Sequence, residues 1–165
     1  MSSDNQIYAT AAVVGATTGL RSFSAPTVIS YLSRQGLLPG NSKLSFLARP
    51  STGVTAAVLA AGELIADKLP FIPRRTKIGP LTARALSGGL AGAAIFSSRK
   101  KPIWTGILIG AGAAIGATYA AYELRKRAAE TLKIPDPILA IAEDAIVAAS
   151  SYAVISRMGA RTESI

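Results

Sequence analysis

The chain contains neither cysteine nor histidine. The first absence excludes a disulfide framework, a thiolate-ligated metal and a thiol nucleophile. The second excludes imidazole-ligated zinc and histidine acid–base chemistry, so no metal site is expected. No nucleophile elbow, P-loop or dinucleotide fingerprint occurs, and Gly88-Gly89 lies within an apolar stretch rather than after a strand. Intramembrane hydrolysis by two aspartates is not supported either, because Asp67 and Asp144 sit in different contexts with no Gly-x-Gly-Asp string around either. The expectation is a protein that is not an enzyme and takes no cofactor. Residues Met1–Gln6 are polar without a basic n-region, and the apolar run from Ile7 has no clear cleavage site, so a cleaved signal peptide is not expected. Aromatic residues make up 6% of the chain and charged residues 16%, against the roughly 25% charge of an ordinary soluble domain.

What fills the chain instead is alanine, glycine, leucine and isoleucine, with 50% of residues hydrophobic. Charged residues cluster between the apolar stretches rather than alternating along them, which favours a polytopic membrane protein over a soluble bundle. At 165 residues one domain, 1–165, is expected. Five apolar segments can be drawn: Ile7–Leu20 continuing through a polar break into Pro26–Leu32, Val54–Leu69, Leu81–Phe96, Ile103–Tyr122 and Pro137–Ile155. Each is long for a strand and is bounded by proline or glycine, so the fold class is all-α, with about five transmembrane helices. The first three are short of the roughly 20 residues that cross a bilayer. Pro26 has no amide to donate and disfavours helix at Ala25, which places a break in the first segment near Arg21–Pro26.

The net charge of +9 has two readings. Nucleic acid would require basic residues interleaved with aromatics for stacking, and no such stripe exists. Basic connectors such as Arg99-Lys100-Lys101 and Arg125-Lys126-Arg127 fit lipid headgroups instead. The expected partners are therefore a lipid bilayer and an unidentified small solute or ion, not nucleic acid. The basic residues divide almost evenly between the two sets of loops, so the positive-inside rule sets no orientation.

Small residues recur at four-residue spacing as Gly15/Gly19, Gly88/Gly92, Gly106/Gly110 and Gly112/Gly116. Such pairs let helix backbones approach closely in lipid. They serve either packing within the chain, the preferred reading for any one pair, or the seam of a homodimer. A faint internal repeat aligns Val13-Val14-Gly15-Ala16 with Leu108-Ile109-Gly110-Ala111, and Val58–Glu63 with Ile138–Glu143. Repeats at 7–70 and 103–157 would flank one central helix, and an odd central helix would invert the second relative to the first. Inverted repeats build many transporters, with the site at the repeat interface.

Two of the apolar segments carry acids. Glu63 and Asp67 are spaced i, i+4 and share a helix face, with Lys68 beside them at the segment's end. Glu143 and Asp144 are adjacent and point about 100° apart around a helix, roughly 9 Å in from Pro137. A carboxylate in hydrocarbon needs a partner or water. Arg21 and Arg84, each in apolar context, are the basic complements expected here. One reading is a set of static ion pairs that fix helix register, and the other is a transport site in which the glutamates exchange a proton or cation.

Several strings taken together resemble a known family. They are Gly19-Leu20-Arg21-Ser22-Phe23 with Ala25-Pro26, Gly62–Pro70, Pro73 with Arg75-Thr76, Gly79-Pro80 with Arg84 and Ser87-Gly88, and Pro135-Asp136 with Glu143-Asp144-Ala145. Their order and spacing are similar to the bacterial integral-membrane family catalogued as domain of unknown function 4126. That resemblance implies a small helical protein of the bacterial inner membrane and supplies no catalytic residue. Two functions stay open: a small solute or ion transporter or channel with a polar site of Arg21, Glu63, Asp67, Arg84, Glu143 and Asp144, and a non-transporting structural or assembly subunit whose buried charges only hold helices together.

Overall fold

The computed structural model describes residues 3–38, 46–47, 49–66, 78–132 and 135–159, with the side chains of residues 3, 63–66 and 136 outside the description. Among the described residues the secondary structure is entirely helical. The six α-helices are α1 (Ser3–Leu20), α2 (Ser24–Arg34), α3 (Pro50–Ala66), α4 (Ile78–Ser98), α5 (Ile103–Thr131) and α6 (Asp136–Gly159).

Glycine explains how the centre of the bundle is built. Gly88 and Gly92 of α4 face Gly110 and Gly106 of α5, while Gly15 and Gly19 of α1 face Gly110 and Ala114. A β-carbon at Gly15 would lie 2.5 Å from the Gly110 carbonyl oxygen, and one at Gly88 equally close to the same atom. These positions accept no side chain, and the backbones touch because none is present. Four-residue spacing keeps each pair on one helix face, which turns a weak propensity for helix into a close van der Waals seam. The Thr118 hydroxyl reinforces it, lying 3.1 Å from the Gly19 carbonyl of the neighbouring helix and 2.8 Å from the Ala114 carbonyl of its own.

The same contacts fix helix directions. Residue numbers rise together along α1 and α5, from Gly15 on Gly110 to Gly19 on Ala114, so these helices run parallel. Gly88 meets Gly110 and Gly92 meets Gly106, so α4 runs antiparallel to α5. Tyr8 packs edge-on against Phe96 with ring centroids 5.2 Å apart, while Thr18 lies by Gly88, so α4 is antiparallel to α1 as well. The parallel run of α1 and α5 corrects the inverted repeat in that pairing, since an in-plane two-fold axis relating 7–70 to 103–157 would oppose the two helices. The reason lies in the break expected near Arg21–Pro26. The chain turns there, α1 stopping at Leu20 and α2 starting at Ser24, with Pro26 in the first turn, where a missing amide costs little. Val28, Ile29 and Leu32 of α2 then join one core with Ile7, Ala11 and Val14 of α1, Phe96 of α4 and Val154 of α6. Helix α2 is thus an additional element folded back on α1, and one more element changes the parity of everything after it. At 11 residues it is roughly 16 Å long, too short to cross a bilayer.

Among the described residues two helices are long and apolar enough to cross a membrane by length and composition: α5, and α6 from Pro137 to Gly159. Only 22% and 11% of their apolar windows are buried inside the protein. Large apolar side chains accordingly stand on the outside, among them Leu86, Trp104, Leu108, Ile141 and Tyr152.

The α4–α5 link carries a local strain. Lys100 has φ 55°, a left-handed conformation that glycine takes at no steric cost. It sits in a helix-ending turn closed by the Lys101 amide donating to the Phe96 carbonyl at 3.0 Å and the Lys100 amide to the Ser97 carbonyl at 3.1 Å. Replacing Lys100 with glycine is expected to raise stability by about 1 kcal/mol, read as a higher unfolding midpoint in detergent.

Candidate functional site: a charged layer around the start of α6

Helix α6 carries its two adjacent acids into the bundle about 10 Å from its own start. The 100° step between neighbours sends them to different helices. Glu143 is 8% exposed and takes two hydrogen bonds from Arg125 of α5, Nε to Oε1 and Nη2 to Oε2, each 2.7 Å. This is the bidentate, fork-to-fork geometry that makes an arginine–carboxylate pair strong and directional. Asp144 turns the other way. Its Oδ1 accepts from Arg21 Nε at 2.7 Å and from Nη2 at 2.6 Å. The Arg21 side chain is 7% exposed and that of Asp144 is 35% exposed. One helix is therefore tied to α5 by one acid and to the α1–α2 turn by the next.

Arg84 belongs to the same region. It lies one turn before Gly88, which faces Thr18, and Arg21 lies just past Thr18 in the opposed helix, so the two arginines stand at one level of the bundle. Arg84 is 3% exposed, among the most buried charged residues described.

Of the residues singled out from sequence, Arg21 and Asp144 meet, Glu143 lies beside them, and Arg84 shares their level. Arg21 and Arg84 were expected to balance the glutamates. For Glu143 the structure shows a partner that the sequence reading does not name, Arg125. The sequence pattern puts that residue in a basic connector after an apolar segment ending at Tyr122. The helix in fact runs on to Thr131. The signal was present: residues Glu123 to Glu130 contain no glycine or proline, are strong helix formers, and include the i, i+4 pair Glu123 and Arg127, which approach to 4.0 Å. Glu63 falls in the last turn of α3 with its side chain outside the description, and Asp67 lies outside the described residues.

The glycines divide. Gly15, Gly19, Gly88, Gly92, Gly106 and Gly110 form the internal seam, whereas a β-carbon at Gly112 or Gly116 would meet none of the described residues. The preferred reading, packing within the chain, holds for the first three pairs and not for the fourth. Among the described residues no group of three or more acids is placed to hold a metal ion.

The model of the family described as Domain of unknown function (DUF4126) matches residues 8–157. This chain belongs to that family. The match takes in α2 to α5 whole and most of α1 and α6, and so every residue of the charged layer. No curated protein and no solved structure matches the chain. The DUF4126 description carries no activity, so what the layer does rests on its geometry.

Proposed function

We propose that this DUF4126 protein is an integral protein of the bacterial inner membrane, with α1 and α3 to α6 as its spans, serving as a non-transporting structural or assembly subunit. In this reading its buried charges fix the position of α6. The observation that carries the proposal is the pair of short ion pairs, Arg125–Glu143 and Arg21–Asp144, that hold one helix to two others. A bidentate pair has little freedom to release a partner, and a layer that must exchange ions works better with looser contacts. The membrane part is supported by the two long apolar helices whose surfaces are mostly unburied, because lipid removes from water the side chains that the protein leaves exposed. Alkaline carbonate is expected to leave the protein in the membrane fraction, and release of most of it would overturn that part.

One feature favours the transport reading as a second choice. Asp144 is over a third exposed at the side-chain level while its partner Arg21 is nearly buried, so the acid can be reached from outside. Proteoliposomes separate the two readings. The structural reading expects no coupled proton or cation flux from wild type above empty vesicles, and a lower unfolding midpoint in Asp144→Asn. Flux in wild type that vanishes in a fully folded Asp144→Asn would establish transport instead.

A further inference from the structure

At the opposite end of the bundle from the charged layer lies a cleft of about 590 Å³ between α1, α6 and the end of α4. The volume falls in the range of ordinary small-molecule sites. Its chemistry is divided along its length. Helix α6 runs antiparallel to α1, with Asp144 by Arg21 at one end and Val154 packed in the core with Ile7 at the other. That register brings Arg157 level with Gln6, and the Tyr8–Phe96 contact brings Arg99 to the same level from α4. Two cations and an amide therefore gather at one mouth. From there Ile7, Val13, Ile95 and Val154 line a mostly apolar channel that runs roughly 10 Å, from Gln6 to Val13, at 1.5 Å per residue, with Ser150 on its wall and the Thr10 hydroxyl already donating to the Gln6 carbonyl.

We propose that this cleft binds one anionic phospholipid, its phosphate held by Arg99 and Arg157 and the upper part of an acyl chain laid along Ile7, Val13 and Val154. The assignment rests on the membrane reading above, since the cleft must open to a bilayer. Charge complementarity selects the occupant. Both arginines are exposed on the protein surface, and guanidinium groups bind phosphate oxygens in fork geometry. The neighbouring Lys101 is drawn instead to Asp4, 2.9 Å away, which among the described residues leaves the two arginines as the cations lining the mouth of the cleft itself. A zwitterionic lipid brings an ammonium that two arginines repel. A free phosphate satisfies the arginines but leaves the apolar channel unfilled.

The test is native mass spectrometry of the full chain released from micelles containing phosphatidylglycerol, phosphatidylcholine or inorganic phosphate. Phosphatidylglycerol is expected to be retained as a single adduct, well ahead of the other two. Arg99→Gln with Arg157→Gln is expected to weaken it about thirtyfold, two headgroup contacts' worth. Val13→Trp, which fills the apolar end and keeps both arginines, is expected to weaken it as well. Equal retention of the two lipids, equal retention of inorganic phosphate, or an unchanged adduct in either variant overturns the proposal. Carbonate extraction reports separately on the membrane reading, so failure of one is not mistaken for failure of the other.

Discussion

Gly110→Leu is expected to abolish assembly of the folded bundle. Gly110 is the point where three helices meet: its backbone is the nearest neighbour of Gly15 on one side and of Gly88 on the other. A β-carbon there would stand 2.8 Å from the Gly88 carbonyl carbon and 3.3 Å from the Gly92 α-carbon. The obstacle is backbone rather than the end of a flexible side chain, so nothing nearby can rotate away and α4 must be pushed off α5. Overpacking in adaptable cores already costs about 1–3 kcal/mol, and the cost here is expected to reach or exceed the top of that range. Size-exclusion chromatography in mild detergent should show aggregate in place of the monodisperse wild-type peak. Gly112→Ala provides the contrast. Its β-carbon meets none of the described residues within 4 Å, so the exchange should stabilise the helix by about 0.5–1 kcal/mol and leave the elution volume unchanged.

Glu143→Gln is expected to lower stability by about 3 kcal/mol. The substitution keeps the shape and removes the charge that accepts both Arg125 bonds. The Arg125 side chain is 21% exposed and that of Glu143 is 10% exposed, so water replaces the lost carboxylate poorly. Removing one member of a buried pair costs about 3–5 kcal/mol because the other charge stays behind. The lower end applies because Arg125 keeps some access to the outside. Replacing both with apolar residues of similar volume, Arg125→Met with Glu143→Leu, should be milder than Glu143→Gln alone, since neither member of the pair is left behind. Chemical denaturation in bicelles, followed by circular dichroism, measures both. If the double replacement proves the more damaging, a static role for the pair is too small an account of it.

Much of the helical architecture is legible in the sequence, and the gaps have definite causes. Apolar runs bounded by proline and glycine mark the helices, and Pro26 marks the break after α1. What the runs do not show is that the break turns the chain back. That depends on Val28, Ile29 and Leu32 finding the core beside Ile7 and Ala11, a long-range event that periodicity does not encode. The repeat failed on this point, because direction in a bundle is a parity and one added helix reverses it. The glycine pattern held more information than its spacing alone. Gly110 and Gly112 are two residues apart, about 200° around a helix, so the Gly106/Gly110 and Gly112/Gly116 pairs face opposite sides and only one could enter the seam.

The charged layer was half legible. Acids inside apolar sequence announce a buried partner, and the adjacency of Glu143 and Asp144 announces two. The partners themselves followed from helix length. Ending α5 at Tyr122 turned Arg125 into loop charge, whereas continuing it to Thr131 places Arg125 on the helix beside α6. The cleft at the other end could not be read from sequence, because Gln6, Arg99 and Arg157 become neighbours only through the antiparallel packing of α1 with α4 and α6.

The most direct test of the claim that these charges hold α6 in place is an exchange of the pair. Arg125→Glu and Glu143→Arg are made singly and together, and unfolding midpoints are measured in nanodiscs. Each single reversal puts two like charges within contact distance and should be poorly folded. If the pair is a helix clamp, the exchanged protein recovers most of the stability that either single change loses. If it unfolds no later than the single variants, or if the single variants match wild type, the clamp is not what positions α6.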